Sequence, residues 1–585
     1  VVIRPDALFQ CLQEDTADYL LSLGVQDNPG LSYTSKDQVL YPSVAACLRL
    51  RESVLKKLRS GTSEALDLAA LKKFLAINDQ QDDWDRRRGE ELFAEELLGH
   101  FREEMHRFFE VDNRRPLIES FEQFFARGRF GPGASLKSVG TDFYSKVGSS
   151  DLTATSSIFF RMYRSYIANR PGWRGAEFFR TAAGFGDRIV TGNKLAFVPK
   201  NVDISRTICV EPSLNMFAQL GLADLIERRL KSLYSIDLTE QPEVNRALAR
   251  KGSKTGSLIT IDLESASDSI SLKMIEKNLP RDVVAWLKVL RSPVSETLQG
   301  PVELRMVSTM GNGFTFPLQT AIFSSVVLAA KRFLGRPRTR AGKDWSVFGD
   351  DIICSQHDVG AVLSLLRILG FQVNPQKSFF EGPFRESCGH DYYRGHDIRG
   401  VYIKSLSTVQ DRFVAINRLN DWSSVHGVNL PRTVRLLQGS VPDFLVPLWE
   451  ADTAGIRVTS ASARHLKVGF RWRFRASEFI PSMLRFDEGL VRGPRGTKRR
   501  VLNPEALYLA FLNGSLEHGT ISIRHSAKSY RARTRYTLNW DIPGASHTLL
   551  AERGWCAIVS PVENRKLTGP RRESAERANL AVRQE

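Results

Sequence analysis

The sequence predicts an α+β fold, and three features between residues 250 and 405 carry that expectation. Short β-rich runs alternate there with patterns of helical period, the texture of a sheet with helices packed on it. Ser346 to Cys354 reads as two short strands joined by Gly-Asp-Asp, a hairpin turn signal. Phe316 to Phe333 reads as a buried helix, with Pro317 near its start, where a missing N–H is tolerated.

The flanking regions differ in texture. Residues 1–115 read as largely helical: Ala65 to Asn78 and Gly89 to Val111 carry apolar residues at helical spacing, with charges between them. From Pro116 to Lys200, Gly128, Gly131, Gly133, Gly184, Gly186 and Gly192 punctuate aromatic and basic residues, which predicts loops and irregular strands. Arg464 to Arg535 holds 16 Lys and Arg against 5 Asp and Glu, with aromatics interleaved as in Phe470-Arg471-Trp472-Arg473-Phe474-Arg475. Gly493 to Thr497 marks an exposed loop, and the charged, aromatic-poor residues from Arg565 predict a loose tail. No internal repeat is found.

Composition narrows the function class. Across 585 residues, 42% hydrophobic and 25% charged is ordinary for a folded protein. The balance of 82 Lys and Arg against 65 Asp and Glu, a formal +17, is less ordinary. It points to a polyanionic partner, because basic side chains on phosphates release condensed counterions. Cys11, Cys47, Cys209, Cys354, Cys388 and Cys556 form no Cys-x-x-Cys pair, which argues against zinc and against a disulfide scaffold and for a reducing cytosol. No apolar run is long enough to span a membrane. The chain opens Val-Val-Ile-Arg-Pro, with no starting Met and no signal-peptide pattern, so its true first residues are expected to be missing.

Four runs could carry chemistry. The first is Val347-Phe348-Gly349-Asp350-Asp351-Ile352-Ile353. A bare Gly-Asp-Asp occurs by chance in roughly one chain in ten of this size. Here two adjacent carboxylates sit in an apolar frame, and such a pair repels itself unless a cation neutralises it. The choice is between a polar turn and a metal site. The second run is Ile259-Thr260-Ile261-Asp262, a β-run ending in a carboxylate, with Asp268 six residues on. Asp268 or Ser267 could instead only cap the next helix. Asp262 and the Asp350/Asp351 pair, brought to one sheet edge, would hold two metal ions for in-line phosphoryl transfer, and Mg²⁺ suits an all-oxygen shell.

The third run is Ser308-Thr309-Met310-Gly311-Asn312-Gly313-Phe314-Thr315, a flexible polar loop ahead of a helix. It could read a ribose 2′-hydroxyl or be an ordinary Asn-Gly turn. The fourth places Lys200 and Arg206 after the apolar run Leu195 to Val198; both could clamp a triphosphate or simply form a solvated basic face. A decoy, Phe185-Gly186-Asp187-Arg188, has a single Asp and is assigned no metal.

The order of these pieces is specific. A basic strand-loop precedes strand-Asp-x5-Asp, then Ser308 to Phe316, Gly349-Asp350-Asp351, Lys377, and Glu381-Gly-Pro-Phe-Arg-Glu-Ser-Cys-Gly389. With Val210-Glu-Pro212, Asn215-Met-Phe217 and Ile236-Asp-Leu-Thr-Glu-Gln241, the chain resembles the replicases of the positive-strand RNA bacteriophages, the leviviruses of the Q-beta type. The resemblance is good over residues 185–405 and weak before 120 and after 410. Phe348 departs from the family, which usually has Tyr there; the position is read as packing.

That resemblance implies an RNA-directed RNA polymerase shaped as a right hand of fingers, palm and thumb, its antiparallel palm sheet flanked by helices. The expected division is 1–115 for a helical N-terminal region and part of the fingers, 116–250 for fingers, and 251–405 for the palm. Residues 406–564 would form the thumb and a basic RNA-contacting region, and 565–585 a tail. Asp262, Asp350 and Asp351 would hold two Mg²⁺ ions, with Mn²⁺ or Ca²⁺ able to substitute, and Lys377 would serve as general acid. Lys200, Arg206, Ser308 and Gly311 would meet the incoming NTP, with Asp268 and Asn312 sensing its ribose hydroxyls. Template or product RNA is expected along Arg471, Arg473, Arg475, Lys498, Arg499 and Arg500. Family members work with host elongation factors Tu and Ts, and in Q-beta with a ribosomal protein, in the cytoplasm of the infected bacterium. Two other classes compete: a reverse transcriptase, disfavoured by polar Asp268 where an aromatic gate would suit dNTPs, and a basic RNA-binding protein, disfavoured by the acidic runs.

Overall fold

The computed structural model describes residues 3–58, 63–84, 93–487, 490–493, 498–500, 503–523 and 529–542. The expected tail at 565–585 and residues 494–497 of the expected loop lie outside the described residues.

Four helices open the chain: α1 (Pro5–Ser22), α2 (Pro42–Ser53), α3 (Glu64–Gln80) and α4 (Ala94–Phe109). Proline stands in the first turn of α1 and α2, where its fixed φ suits a helix start. Ser63 caps α3 by accepting from the Leu66 N–H at 3.2 Å. The periodicity expected for residues 65–78 is thus realised almost end for end.

Residues 116–200 depart from expectation. They contain α5 (Ser157–Ile167) and α6 (Pro171–Ala182). Phe159, Phe160, Tyr163, Tyr166 and Ile167 form the buried stripe of α5 at helical spacing. Of the glycines named above, Gly128, Gly131, Gly133, Gly184 and Gly186 lie in connections and Gly192 opens the next strand, so they punctuate the region without setting its character.

Next come β1 (Gly192–Pro199) and β2 (Ser205–Val210), an antiparallel pair, then α7 (Ser213–Arg229) and α8 (Gln241–Thr255). Three further strands build the central sheet: β3 (Leu258–Ile261), β4 (Ser346–Phe348) and β5 (Asp351–Ser355), in the order β4-β5-β3 and antiparallel throughout. Helix α9 (Thr315–Phe333) lies between β3 and β4 in the chain and is buried around almost its whole circumference. Its Leu318, Ile322, Phe323, Val326 and Val327 share the main core with Ile261, Val347 and Ile352. This explains why the stretch reads as apolar without a polar face.

A second core joins distant parts of the chain. Leu8, Leu12, Val44 and Leu50 of α1 and α2 pack with Phe384, Tyr393, Phe413 and Ile416. Arg49, buried, binds Asp391 at 2.8 Å and Glu386 at 3.3 Å, tying α2 to the hairpin of β6 (Phe384–Ser387) and β7 (His390–Tyr393). The N-terminal helices therefore brace the residues that follow the central sheet. Beyond α10 (Val409–His426), the basic stretch forms β8 (Lys467–Val468) and β9 (Arg471–Ile480), with β10 (Ser529–Thr537) paired to β9 from Trp472 to Ile480.

Candidate active site

The carboxylates are positioned by strand register. Ile352 of β5 pairs with Ile261 of β3, so Asp351 and Asp262 occupy the next rung at one end of the sheet. Phe348 pairs with Asp351, leaving Gly349 and Asp350 as a two-residue turn. Gly349 has φ +61°, and a Cβ there would stand 2.3 Å from the Phe316 ring. Its N–H donates to Thr320 Oγ1 at 3.0 Å, and the Phe348 ring meets Phe316 edge-on at 4.7 Å. The turn is thereby clamped onto α9, and Phe348 does pack, as its departure from the family tyrosine suggests.

Asp262 has partners on a connecting loop. Asn374 Nδ2 donates to its Oδ2 at 3.2 Å, Lys377 Nζ reaches the same oxygen at 3.1 Å, and its own N–H donates to Ser378 Oγ at 3.1 Å. Asp351 Oδ2 accepts from the Cys388 N–H at 3.3 Å. Asp350 and Asp351 have no ion-pair partner among the described residues. Burial, then the neighbouring Asp350 and Asp262, push Asp351 up to about 7. Burial, then Asp262, raises Asp350. Burial opposes the charge on Lys377, but Asp262 outweighs it and the ammonium is held above its ordinary value.

Asp262 and Asp350 open onto a cleft of about 690 Å³, within the size range of ligand sites. Its other lining residues include Lys73, Lys200, Arg206, Asp268, Gly311, Asn312 and Lys377. Burial, then Arg206 and Lys377, lowers the Lys200 pKa. The cleft thus faces carboxylates with a basic wall. Asp351 lies behind it at the sheet end.

Asp268 does not cap the following helix. That role falls to Ser271, whose Oγ accepts from Met274 N–H at 3.4 Å. Asp268 Oδ1 instead accepts from the Met310 N–H at 3.3 Å and from Ser267 Oγ at 3.4 Å, and burial raises it to about 6. The 308–313 loop is also pinned elsewhere: Cys209 N–H donates to Met310 O at 2.7 Å, and Gly311, φ +122°, lies against Cys209 O where a Cβ would be at 2.1 Å. Ser308 is not among the residues lining the cleft and donates to Ser267 O at 3.5 Å.

Not every expected site residue gathers here. Arg471, Arg473 and Arg475 lie exposed on β9 and do not line the cleft. Lys498, Arg499 and Arg500 form a short strand, with side chains outside the described residues. The decoy Asp187 is bound by Arg180 at 2.9 Å. Three groups were not foreseen from the sequence. Asn374 stands only three residues before Lys377, and that spacing was a usable signal. Lys73 comes from α3, nearly two hundred residues before Asp262, and nothing in its run distinguishes it. The third is a buried network around Glu211, which accepts from Ser292 Oγ at 2.7 Å, Asn193 Nδ2 at 2.8 Å and Gln219 Nε2 at 3.1 Å. Gln219 Oε1 in turn accepts from the Gly313 N–H at 3.0 Å, so the network ends on the Asn312 loop.

The family model for RNA replicase, beta-chain, matches residues 23–535. The chain belongs to this replicase family. Among curated relatives, the RNA-directed RNA polymerase beta chain of Escherichia phage MS2 is 41% identical over 261 residues, 44% of this chain and 47% of that protein. The RNA-directed RNA polymerase subunit beta of Escherichia virus Qbeta is 40% identical over 242 residues, 41% of this chain and 40% of that protein. The chain thus aligns over about half the length of the curated relatives it matches. The solved RNA-dependent RNA polymerase of bacteriophage phi12 is 12% identical, covers 75% of this chain and 77% of that one, and superposes with a TM-score of 0.35, too low to define the fold.

Proposed function

We propose that this replicase-family chain is a template-dependent RNA-directed RNA polymerase that copies a viral positive-strand RNA genome from NTPs. One observation carries the reading: Asp350, largely shielded from water and without an ion-pair partner among the described residues, shares a cleft with Asp262 and with the cationic side chains of Lys200, Arg206 and Lys377. Carboxylates repel a phosphate substrate unless a cation intervenes.

The residues fit such a cation in donor chemistry. Asp262, Asp350 and Asp351 offer only oxygen, and burial together with mutual repulsion makes the ionised state of the Asp350/Asp351 pair costly without a counter-charge. Among the described residues no three His, Cys, Asp or Glu side chains are already closed into a ligand set. Asp262 is turned to Lys377 and Asp351 to the Cys388 N–H. Two Mg²⁺ ions held by Asp262, Asp350 and Asp351, or Mn²⁺ or Ca²⁺ in their place, would supply acidification of a 3′-hydroxyl and charge neutralisation at the phosphates.

The chain's own residues do the rest. Lys200 and Arg206 hold the triphosphate on the basic wall. Lys377, kept protonated by Asp262, stands ready to give its proton to departing pyrophosphate. Asp268 holds the Met310 N–H and so sets the height of Asn312 against the ribose. Ser308 serves by supporting this loop. RNA template and product are the macromolecular partners, and elongation factors Tu and Ts with a ribosomal protein are the expected host partners in the bacterial cytoplasm. No described helix is long and apolar enough to cross a membrane.

The test is synthesis on an RNA template, without primer, comparing NTPs with dNTPs. Incorporation of NTPs that Asp350→Asn abolishes is the expected result. Strong dNTP preference would make the chain a reverse transcriptase. Full synthesis by Asp350→Asn would sink the metal assignment.

A further inference from the structure

The β9–β10 ribbon sorts its arginines by face. Side chains alternate along a strand, so Trp472, Phe474, Ala476 and Glu478 share one face with Arg535, Arg533 and Arg531 across the pair. That face is core at one end and ion-paired at the other. Trp472 and Phe474 pack on Val446 and Trp540. Glu478 binds Arg531 at 2.9 Å and Arg533 at 3.1 Å, and Glu450 binds Arg535 at 2.8 Å.

The opposite face carries Arg471, Arg473 and Arg475, opposite Tyr536 and Thr534. None of these three arginines has a carboxylate partner among the described residues. Arg471 stacks on the Tyr536 ring at 4.8 Å, and Arg475 lies over Phe444 at 5.1 Å. Tyr536 remains 46% exposed. At the ribbon's end the pair Val468–Arg471 closes a two-residue turn, Gly469-Phe470, and the Phe470 ring is 78% exposed. A hairpin tip has no folding use for a bare phenyl ring. Unpaired guanidiniums beside exposed rings are what a single-stranded nucleic acid requires: charge for the phosphates and π-faces for unstacked bases.

We propose that the outward face of this ribbon, built from Phe470, Arg471, Arg473 and Tyr536, is a binding site for single-stranded RNA. The site is separate from the carboxylate cleft and does not depend on the polymerase reading. Single-stranded RNA fits better than duplex, whose bases are not free to stack on Phe470 and Tyr536.

The experiment measures binding of a labelled oligouridylate to the full chain by fluorescence anisotropy across a salt series. Arg471→Gln/Arg473→Gln should weaken binding about tenfold and shrink the slope of log Kd against log salt by roughly 1.4, near 0.7 for each phosphate no longer neutralised. Phe470→Ala should weaken binding at least about fivefold with the slope unchanged. Arg531→Gln/Arg533→Gln, whose guanidiniums are already paired with Glu478, should change affinity less than about twofold. Equal losses from both double variants, or an unchanged slope in the first, would overturn the proposal. So would loss of polyglutamate binding with RNA binding intact, which would mark an acidic-protein surface. Thermal melts check folding, and if a double variant is unfolded, Phe470→Ala and Tyr536→Ala decide the matter alone. Asp350→Asn should bind the oligonucleotide like the parent. A parent chain that binds through the ribbon yet makes no RNA would defeat the polymerase reading and leave this site standing.

Discussion

At the end of the β3–β5 pair, three carboxylates are collected and two of them are largely shielded from water; along β9, three arginines are laid out and all are exposed. Both arrangements concentrate like charge. At the sheet end the self-repulsion is amplified by burial, and Asp351 is pushed up to about 7. On the ribbon, water screens each guanidinium, and rings stacked on Arg471 and Arg475 hold their orientation. A shielded cluster of one sign is unfavourable until a proton or a bound counter-ion relieves it. An exposed row costs little and gains only when a polyanion arrives. The first suits chemistry at a point, and the second suits grip along a strand.

The sharpest way to break this contrast is Asp350→Asn. Synthesis should fall by about a thousandfold or more if Asp350 is the metal ligand proposed above. The metal-free protein should become more stable, because a shielded charge facing Asp262 disappears. Denaturation in chelator, then with Mg²⁺ added, reads the stability effects. The parent should be stabilised by Mg²⁺ and the variant much less. A variant no more stable than the parent in chelator would show that repulsion at the cleft is already relieved.

Asp268 tests the same idea away from the sheet end. Its carboxyl is raised by burial from 3.8 to about 6. The folded chain therefore holds a proton that the unfolded chain has released. The stability contributed by this group is fully present below about pH 4 and is lost as pH rises through 6, a fall of about 3 kcal/mol at 1.36 kcal/mol per unit. Asp268→Asn should flatten that part of the stability curve between pH 4 and 6. An unchanged curve would mean that Asp268 is far better solvated than its burial implies.

Gly349→Ala examines the frame rather than the charges. The new methyl would meet the Phe316 ring at 2.3 Å in a left-handed conformation, which should cost about 2–3 kcal/mol. The denaturation midpoint reports it, and a neutral result would show that the turn can lift off α9 without penalty.

How legible the molecule was differs between the same two regions. The cleft was written locally: β-runs ending in carboxylates, a turn triplet, and a polar loop between them in the chain. Period and turn chemistry placed Asp262 and the Asp350/Asp351 pair at one sheet edge; that Asp351 sits behind the cleft was not legible there. What stayed hidden was non-local. Lys73 reaches the cleft from α3, and α1 and α2 brace the β6–β7 hairpin through Arg49 and Asp391, residues more than three hundred positions apart. Ser308 read as cleft-facing because spacing cannot tell the two sides of a loop. On the ribbon, charge and aromatic content were plain in the sequence. Which arginines are free was not, because that depends on Glu450 and Glu478 finding their partners in space.

The smallest expected effect is the most informative about the cleft's support. Gln219 bridges two systems: its Nε2 donates to Glu211 and to Leu290 O, and its Oε1 receives the Gly313 N–H beside Asn312. Gln219→Leu removes all three bonds while keeping similar bulk. The Gly313 N–H then loses its acceptor and the loop should drift relative to Asp268, which grips only its other end at Met310. Synthesis should drop about tenfold, the equivalent of one buried hydrogen bond at roughly 1.4 kcal/mol. The ratio of NTP to dNTP incorporation should fall with it, because Asn312 is the group displaced. Gln219→Glu keeps the Gly313 acceptor but sets a second carboxylate against Glu211, so it should lower stability while retaining more of the nucleotide preference. If both variants keep the parent's NTP to dNTP ratio, the loop is held by Asp268 and Cys209 alone, and the Glu211 network belongs to the core rather than to the cleft.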